Sequence, residues 1–331
     1  MIAYSPLVSV ILPTYNVAKY LEQCLRSVEK QTYRNIEVFV VVDGATDGSA
    51  EIAEKFCASH HRFNYIWQKN SGSGAARNKG VAASNGELLC FIDPDDWIDD
   101  DYIETMVKCQ QEDDLDYVVV GGKTIYEDFD GNKIGEKNDI YPVGRVDGRV
   151  NLSSSFNRLF QTGMFDAPHH KLYKKNLVDK YDVFFPDLRR SQDIVFNLRY
   201  LRYVKKIGVL DYRGYNYRSF VGTRRFVTKE NYVEAVSCIY EEIKQLAKEL
   251  NLKESPEQVC YRFAHNLMYL TYGNREQLKS LFDVGFFGIL LKYGRPASFH
   301  MRIVRLLMRL RLFFILQKYF TFVEWLKQKR M

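Results

Sequence analysis

The residues best placed to do chemistry are Asp93, Asp95 and Asp96, three carboxylates that follow the apolar run ending in Phe91-Ile92 and are flanked by Pro94 and Trp97. Carboxylates just past a strand can turn toward one point, and hard oxygen ligands of this kind suit Mg²⁺ or Mn²⁺ that also grips phosphate. A solvated turn capping the next helix is the competing reading of the same residues. A second candidate is Arg77, the one arginine in Gly72-Ser73-Gly74-Ala75-Ala76-Arg77-Asn78-Lys79-Gly80, where a guanidinium fits a diphosphate better than a core. That stretch lacks the third glycine of a dinucleotide fingerprint, and the full phosphate-loop pattern is absent from the chain, which disfavours two common nucleotide folds.

These groups need elements that bring them to one edge. Leu7 to Leu12 reads as a buried parallel strand running into the turn Pro13-Thr14-Tyr15-Asn16, with Asn16 as N-cap of a helix carried by Val17, Leu21, Leu25 and Val28. Tyr15 then stands at the carboxyl end of a strand, where open α/β sheets bind ligands. Ile36 to Val42 is a second strand, and it places Asp43 on the same edge before the turn at Gly44. Further strands at residues 64–68, 87–92 and 117–121 alternate with helical segments, which predicts an α/β fold with a mostly parallel sheet flanked by helices. Residues 126–148 read as a hairpin or loop excursion, and 205–217 return as strand. Past Thr228 the composition changes to helices at 230–250, 256–272, 275–292 and 297 to about 329. The division expected is a domain over 1–228 and a helical C-terminal region over 229–331.

The order and spacing of these motifs resemble family 2 of the inverting glycosyltransferases, which have the nucleotide-sugar-binding fold called GT-A. The resemblance is carried by Pro13-Thr14-Tyr15-Asn16, by Val42-Asp43-Gly44-Ala45-Thr46-Asp47-Gly48-Ser49, by Gly72 to Gly80 and by Asp93-Pro94-Asp95, and it covers about the first two-thirds of the chain. It implies a donor nucleotide site at Pro13, Tyr15, Asp43, Arg77 and Asp93, with Tyr15 on uracil and Asp43 bonding the base. The metal, Mn²⁺ or Mg²⁺, would sit on Asp95 and Asp93. Such enzymes also carry an acid pair before a helix, the second member acting as base on the acceptor hydroxyl; here the pair is Gln192-Asp193, and only Asp193 is a carboxylate. An acid favouring the helix dipole is the alternative role for Asp193. Asp96, Gln192 and the segment His169-His170-Lys171-Leu172-Tyr173 would lie near donor sugar and acceptor, His170 standing where asparagine is usual. Two adjacent histidines suggest a metal, but no third His or Cys stands at zinc-ligand spacing. Arg218, Arg224 and Arg225 are candidates for a lid that closes on the diphosphate.

The chain has 331 residues, 46% of them apolar, enough for a large α/β domain and a smaller helical one. Its six cysteines form no Cys-x-x-Cys pair and read as reduced, packed thiols, and no signal peptide is expected at the N-terminus. In the last helical stretch Arg302, Arg305, Arg309, Arg311 and Lys318 interleave with apolar residues over a run too short to cross a bilayer. A basic amphipathic helix of this kind suits an anionic membrane surface, and a homodimer interface is the other use of its apolar face. The net charge of +6 points the same way, and no nucleic-acid motif accompanies it, so nucleic acid is not an expected partner.

The expectation is therefore a cytoplasmic enzyme, peripheral at the inner membrane face, that moves a hexosyl or N-acetylhexosaminyl group from a UDP-sugar to a glycan hydroxyl. The acceptor expected is lipid-linked, in capsule, exopolysaccharide or wall-glycan synthesis. Extension of O-glycans on a secreted adhesin is one alternative, and a catalytically degenerate partner subunit that binds glycan or another transferase is an alternative of another class.

Overall fold

The computed structural model describes residues 4–128, 130–220, 229–271, 273–283, 285–296 and 299–328. Its strands are β1 (Val8–Thr14), β2 (Ile36–Asp43), β3 (Phe63–Gln68), β4 (Leu88–Phe91), β5 (Trp97–Ile98), β6 (Tyr117–Val120), β7 (Gly122–Glu127), β8 (Lys133–Asp139), β9 (Gly144–Asp147), β10 (Lys171–Lys174), β11 (Lys206–Leu210) and β12 (Tyr215–Phe220). The chain divides into two compact units. The first takes in the described residues of Met1–Leu152, Thr162–Leu188 and Gln192–Arg224, and the second those of Ser153–Gln161, Arg189–Ser191 and Arg225–Met331.

An eight-stranded sheet in the order β3-β2-β1-β4-β10-β6-β11-β9 forms the body of the first unit. Its strands β3, β2, β1 and β4 are mutually parallel. Every residue of β1 is buried, as a parallel strand covered on both faces must be. On one face Val8, Val10, Leu12, Val38, Val40 and Val42 share a core with Leu21, Cys24, Leu25 and Val28 of helix Ala18–Glu29 and with Phe56 of helix Ser49–Ser59. Burial of such side chains contributes about 1.5–3 kcal/mol each. On the other face Phe39 and Val41 pack against Ala76 of helix Ser73–Ala83. That helix must lie close, because a Cβ at Gly80 would meet Ile11 Cγ2 at 2.6 Å.

The expected strands are present, with one feature the sequence pattern did not show. Strand β10 runs antiparallel between β4 and β6, with Leu172 opposite both Cys90 and Val118. The segment 205–217, expected as one strand, is two: β11 joins the large sheet beside β6, and β12 joins a separate four-stranded sheet, β5-β12-β7-β8. Its β7 and β8 are the hairpin expected within 126–148, although β7 begins earlier, at Gly122.

Helix Gln192–Leu201 holds β10 in place. Asn197 is fully buried, and its Oδ1 accepts from Tyr117 Oη at 2.9 Å and Tyr173 Oη at 2.8 Å. Its Nδ2 donates to Phe165 O at 2.9 Å and Ala167 O at 3.1 Å. Tyr200 Oη accepts from Lys174 N and donates to Asp116 O. One helix face thus fixes both ends of the segment that delivers residues 169–171.

The second unit is helical: Lys229–Leu250, Pro256–Thr271, Arg275–Asp283, Gly285–Tyr293, Phe299–Arg309 and Phe313–Gln328. The single last helix expected from the sequence is in fact two. Arg311 adopts φ +56°, Arg311 N bonds Met308 O and Leu312 N bonds Leu307 O, a left-handed helix stop built without glycine. No helix among the described residues is long and apolar enough to cross a membrane. All six cysteines are free thiols.

Removing the Asn197 amide deletes four buried hydrogen bonds, and a buried polar group left unsatisfied costs about 1–3 kcal/mol, although Tyr173 Oη keeps Pro168 O as an acceptor. Asn197→Ala is expected to lower the unfolding free energy by about 2–4 kcal/mol in a denaturant titration, with an unchanged slope.

Candidate active site

Strands β1, β2 and β4 end at the same edge of the large sheet. Tyr15, just beyond β1, is 47% exposed, so its ring is open to a planar partner. Pro13 is buried inside β1 opposite Val41, one residue before the strand's end. Asn16 does not cap the following helix: its φ is +48° and its Oδ1 accepts from Thr46 N at 2.8 Å. The helix start is served from the next loop, where Asp47 Oδ2 accepts from Ala18 N and Ser49 Oγ from Val17 N, both at 2.9 Å.

Asp43 is buried at the end of β2, and three donors converge on it: Gln68 Nε2 and Ser71 N on Oδ1, and Gly72 N on Oδ2, each at 2.8 Å. It therefore organises the glycine-rich loop that leads to Arg77. Gly44 makes the turn beyond it at φ +66°, where a Cβ would meet Asn70 N at 2.7 Å.

Arg77 is the junction of the site. Its guanidinium is buried and donates from Nη2 to Asp93 Oδ1 at 2.7 Å and from Nη1 to Asp193 Oδ1 at 2.8 Å. The Phe185 ring lies 5.4 Å beneath it. Two carboxylates a hundred residues apart in sequence are thereby joined through one cation. Asp193 stands in the first turn of its helix, and its side chain remains 28% exposed. Burial pushes its pKa above the ordinary aspartate value, with Arg77 pulling the other way and Asp93 adding to the rise.

Around Asp93 the four-stranded sheet takes part. Tyr215 Oη accepts from Asp93 N at 3.1 Å and donates to Asp96 Oδ2 at 2.7 Å, while Arg218 N donates to Asp96 Oδ1 at 2.8 Å. Asp96 is buried, and burial, then Asp95 and Asp93, raise its pKa well above the usual carboxylate range. Arg218, expected as a lid cation, is instead fixed inside the fold. Its Nη1 reaches Glu127 Oε2 at 2.6 Å, its Nη2 reaches Gln23 Oε1 at 2.6 Å, and its Nε holds Asp95 O at 2.9 Å between the rings of Tyr20 and Trp97. Arg224 and Arg225 lie outside the described residues.

The segment 169–171 divides its side chains. His170 has φ +66°, which turns the chain so that His169 Nδ1 faces Asp93 Oδ2 at 3.5 Å while His170 packs edge-on against Tyr215. Burial holds both imidazoles well below their usual pKa. Lys171 is buried with its Nζ on His169 O at 3.1 Å; burial lowers its pKa to about 7 against the opposing pull of Asp166 and Asp193. Gln192 sits on the start of helix Ser73–Ala83, bonded to Ser73 Oγ.

One ligand atom each from Asp93, Asp96 and His169 lies within 4.8 Å of the others, a donor set that fits a divalent cation. Asp95 is not in that group; Arg218 Nε holds its backbone carbonyl, and the adjacent Asp96 is the buried carboxylate. His169 is the residue that sequence reasoning passed over in favour of His170. Both were visible as a pair, but which one faces the acids is decided by the left-handed backbone at His170.

Strand order, carboxylates at the sheet edge and a helix-borne acid define a GT-A glycosyltransferase fold. The family model "Glycosyl transferase family 2" matches residues 9–182, more than half of the chain. Glycosyltransferase GlyG of Streptococcus pneumoniae serotype 4 is 34% identical over 66% of this chain and 73% of its own length. A Bacillus subtilis (strain 168) protein that carries the name "Putative glycosyltransferase EpsH" is 29% identical over 85% of this chain and 83% of its own. Among solved structures, S. aureus TarS 1–349 in complex with UDP covers 94% of this chain and 89% of that one, with a TM-score of 0.65 at 21% identity. The same TarS fragment in complex with UDP-GlcNAc superposes with the same TM-score. The chain belongs to glycosyl transferase family 2.

Arg77→Ala strips the shared cation from Asp93 and Asp193. Both carboxylates keep some water, so the loss is expected at about 2–3 kcal/mol, below the ~3–5 typical when a fully buried pair is broken. Chemical denaturation of the two proteins side by side measures it.

Proposed function

We propose that the protein transfers a hexosyl or N-acetylhexosaminyl group from a UDP-sugar, with inversion, to a hydroxyl of a growing bacterial surface glycan. The observation that supports this reading is the Arg77 guanidinium holding Asp93 and Asp193 together, the two carboxylates to which the reading gives the phosphate side and the base. UDP and UDP-GlcNAc in the TarS complexes support the choice of donor. Tyr15 offers its exposed ring to uracil, and Asp43 Oδ2, which accepts one bond from protein, has a lone pair left for the base. A divalent cation, held through Asp93 and its neighbours in the 93–96 turn, would supply charge neutralisation to the departing diphosphate. Asp193 takes the proton of the acceptor hydroxyl as the oxygen attacks the anomeric carbon from the face opposite the diphosphate. Gln192 borders the approach of sugar and acceptor, with His170 and Lys171 buried behind the site, and Arg77 adds its positive charge to the side where the phosphates would lie.

The acceptor in this reading is lipid-linked, at an anionic membrane surface. Its support is in the second unit, where a cavity of about 490 Å³ is lined by Arg295, Pro296, Arg302, Arg305, Leu306 and Arg309, with no acidic side chain among the described residues of the lining. Phe299, Leu306 and Leu310 on the same stretch are 75%, 56% and 57% exposed. Arginines interleaved with exposed apolar side chains complement phosphate headgroups above acyl chains.

Asp193→Ala is expected to lower transfer by about 10²–10⁴-fold while calorimetry shows UDP and Mn²⁺ binding unchanged. Transfer near the wild-type rate would place the base elsewhere. Because Asp193 must be ionised to act and its pKa is raised, activity should fall as pH drops through a value above that of an ordinary aspartate. For the tail, Arg302→Ala combined with Arg309→Ala should weaken binding to phosphatidylglycerol vesicles by roughly tenfold or more, at about 1 kcal/mol per arginine. Equal sedimentation of both proteins with anionic and neutral vesicles would assign this face to another partner, and a concentration-dependent mass would identify that partner as a second copy.

A further inference from the structure

We propose that a cavity at the end of the large sheet opposite the active site is a holding site for uncharged oligosaccharide, by which the enzyme keeps hold of the glycan it extends. The cavity measures about 600 Å³, within the range of small-molecule sites, and belongs wholly to the first unit. Pro6, Glu87, Leu88, Asp114, Lys174 and Asn176 are among its lining residues. Pro6 and Glu87 precede β1 and β4, whereas Tyr15 and Asp93 follow the same two strands. The seven residues of β1, at about 3.3 Å each, therefore put roughly 20 Å between this cavity and the candidate active site.

The charges of the lining select the class of ligand. Lys174 Nζ is held by Asp114 Oδ1 at 2.7 Å and by Asp116 Oδ1 at 3.3 Å, and Lys175 Nζ by Asp179 Oδ2 at 2.7 Å. Both cations are thus committed, and with Glu87 the carboxylates among the described lining residues outnumber them, so a phosphate would meet unmatched negative charge. An acyl chain would find only Pro6 and Leu88 as aliphatic neighbours there. Hydroxyl groups are matched instead. Each carboxylate spends one oxygen on the protein and keeps the other: Glu87 Oε2 accepts from Tyr4 Oη, while Glu87 Oε1, Asp114 Oδ2 and Asp179 Oδ1 have no protein donor among the described residues. The exposed Asn176 amide, which can both donate and accept, is likewise unused among them. Tyr4 is 67% exposed, and its ring offers an apolar face to the C–H side of a pyranose.

A glycan held here raises the local concentration of its other end at the active site, so long acceptors gain affinity that short ones do not. Binding at the cavity is independent of the transfer reaction, whereas this use of it rests on the function proposed above. The test is binding of the full chain to an array of neutral tetrasaccharides built from glucose, galactose and their N-acetylamino forms, beside tetrasaccharides that contain uronic acid. Wild type should retain neutral members and discriminate against the acidic ones. Tyr4→Ala combined with Asn176→Ala, both at exposed side chains, should weaken that binding by roughly tenfold or more, through loss of one stacked ring and one amide. In transfer assays the same double variant should raise KM for an octasaccharide acceptor of the retained sequence and leave kcat, and the KM for the matching disaccharide, unchanged. Failure of the wild type to retain any neutral glycan, equal retention by the double variant, or retention of acidic glycans as strong as of neutral ones overturns the proposed site. An unchanged KM for the octasaccharide overturns its role in holding the acceptor. A wild type that binds the array yet transfers nothing from any UDP-sugar speaks against the proposed function and leaves the cavity's ligand as assigned.

Discussion

The structure of the site depends on one requirement, that a buried guanidinium at Arg77 be matched by negative charge. Leaving such a group unpaired in the interior is far costlier than any surface ion pair is favourable. The chain meets the requirement with Asp93, from the turn after β4, and Asp193, from a helix that begins about a hundred residues later. The bridge adds little net stability, since desolvation consumes most of the attraction, but it tolerates only one mutual placement of strand edge and helix start.

Everything that surrounds the bridge keeps its two ends from drifting. On the Asp193 side, Asn197 and Tyr200 pin the helix to β10 and β6 through buried hydrogen bonds, which are directional where apolar packing is not. On the Asp93 side, Arg218 clamps the 93–96 turn from beneath, gripping Asp95 O and Asp96 while anchored to Glu127. A charge that looked free for substrate is thus committed to shaping the 93–96 turn. The small sheet formed by β5, β12, β7 and β8 exists in this view as the scaffold for Tyr215 and Arg218.

Much of this was legible in the sequence. The runs Val8 to Leu12 and Ile36 to Val42 announce buried parallel strands by composition alone, and the carboxylates and tyrosine at their ends follow as edge residues. The reversed strand β10 was not legible, because Lys171-Leu172-Tyr173-Lys174 is short and its pairing is dictated by two strands distant in sequence. Arg218 misled because an arginine's burial depends on partners such as Glu127 and Gln23 that no local pattern identifies. Asn16 has the residue type of a helix cap, yet the left-handed backbone it adopts points its amide across to Thr46. The last helix was overextended for a related reason: Leu310-Arg311-Leu312 carries no glycine or proline to signal a stop, and Arg311 takes the left-handed position regardless.

The departure at Gln192 shows how a change of side-chain chemistry can be read from its partners. Oriented by its neighbours, the amide oxygen accepts from Gly74 N at 3.2 Å and from Ser73 Oγ, while the amide nitrogen donates to Leu188 O at 3.0 Å. A carboxylate can accept from the start of a helix but cannot donate to a carbonyl. Glutamate here would therefore leave Leu188 O opposed by a negative charge, beside Asp93 and Asp193, which already share one cation. Glutamine keeps the contact with helix Ser73–Ala83, which carries Arg77, and adds no further anion. The position next to Asp193 is thus occupied by a neutral group that ties the acid-bearing helix to the arginine-bearing one, and it adds no charge to the bridge of Arg77, Asp93 and Asp193.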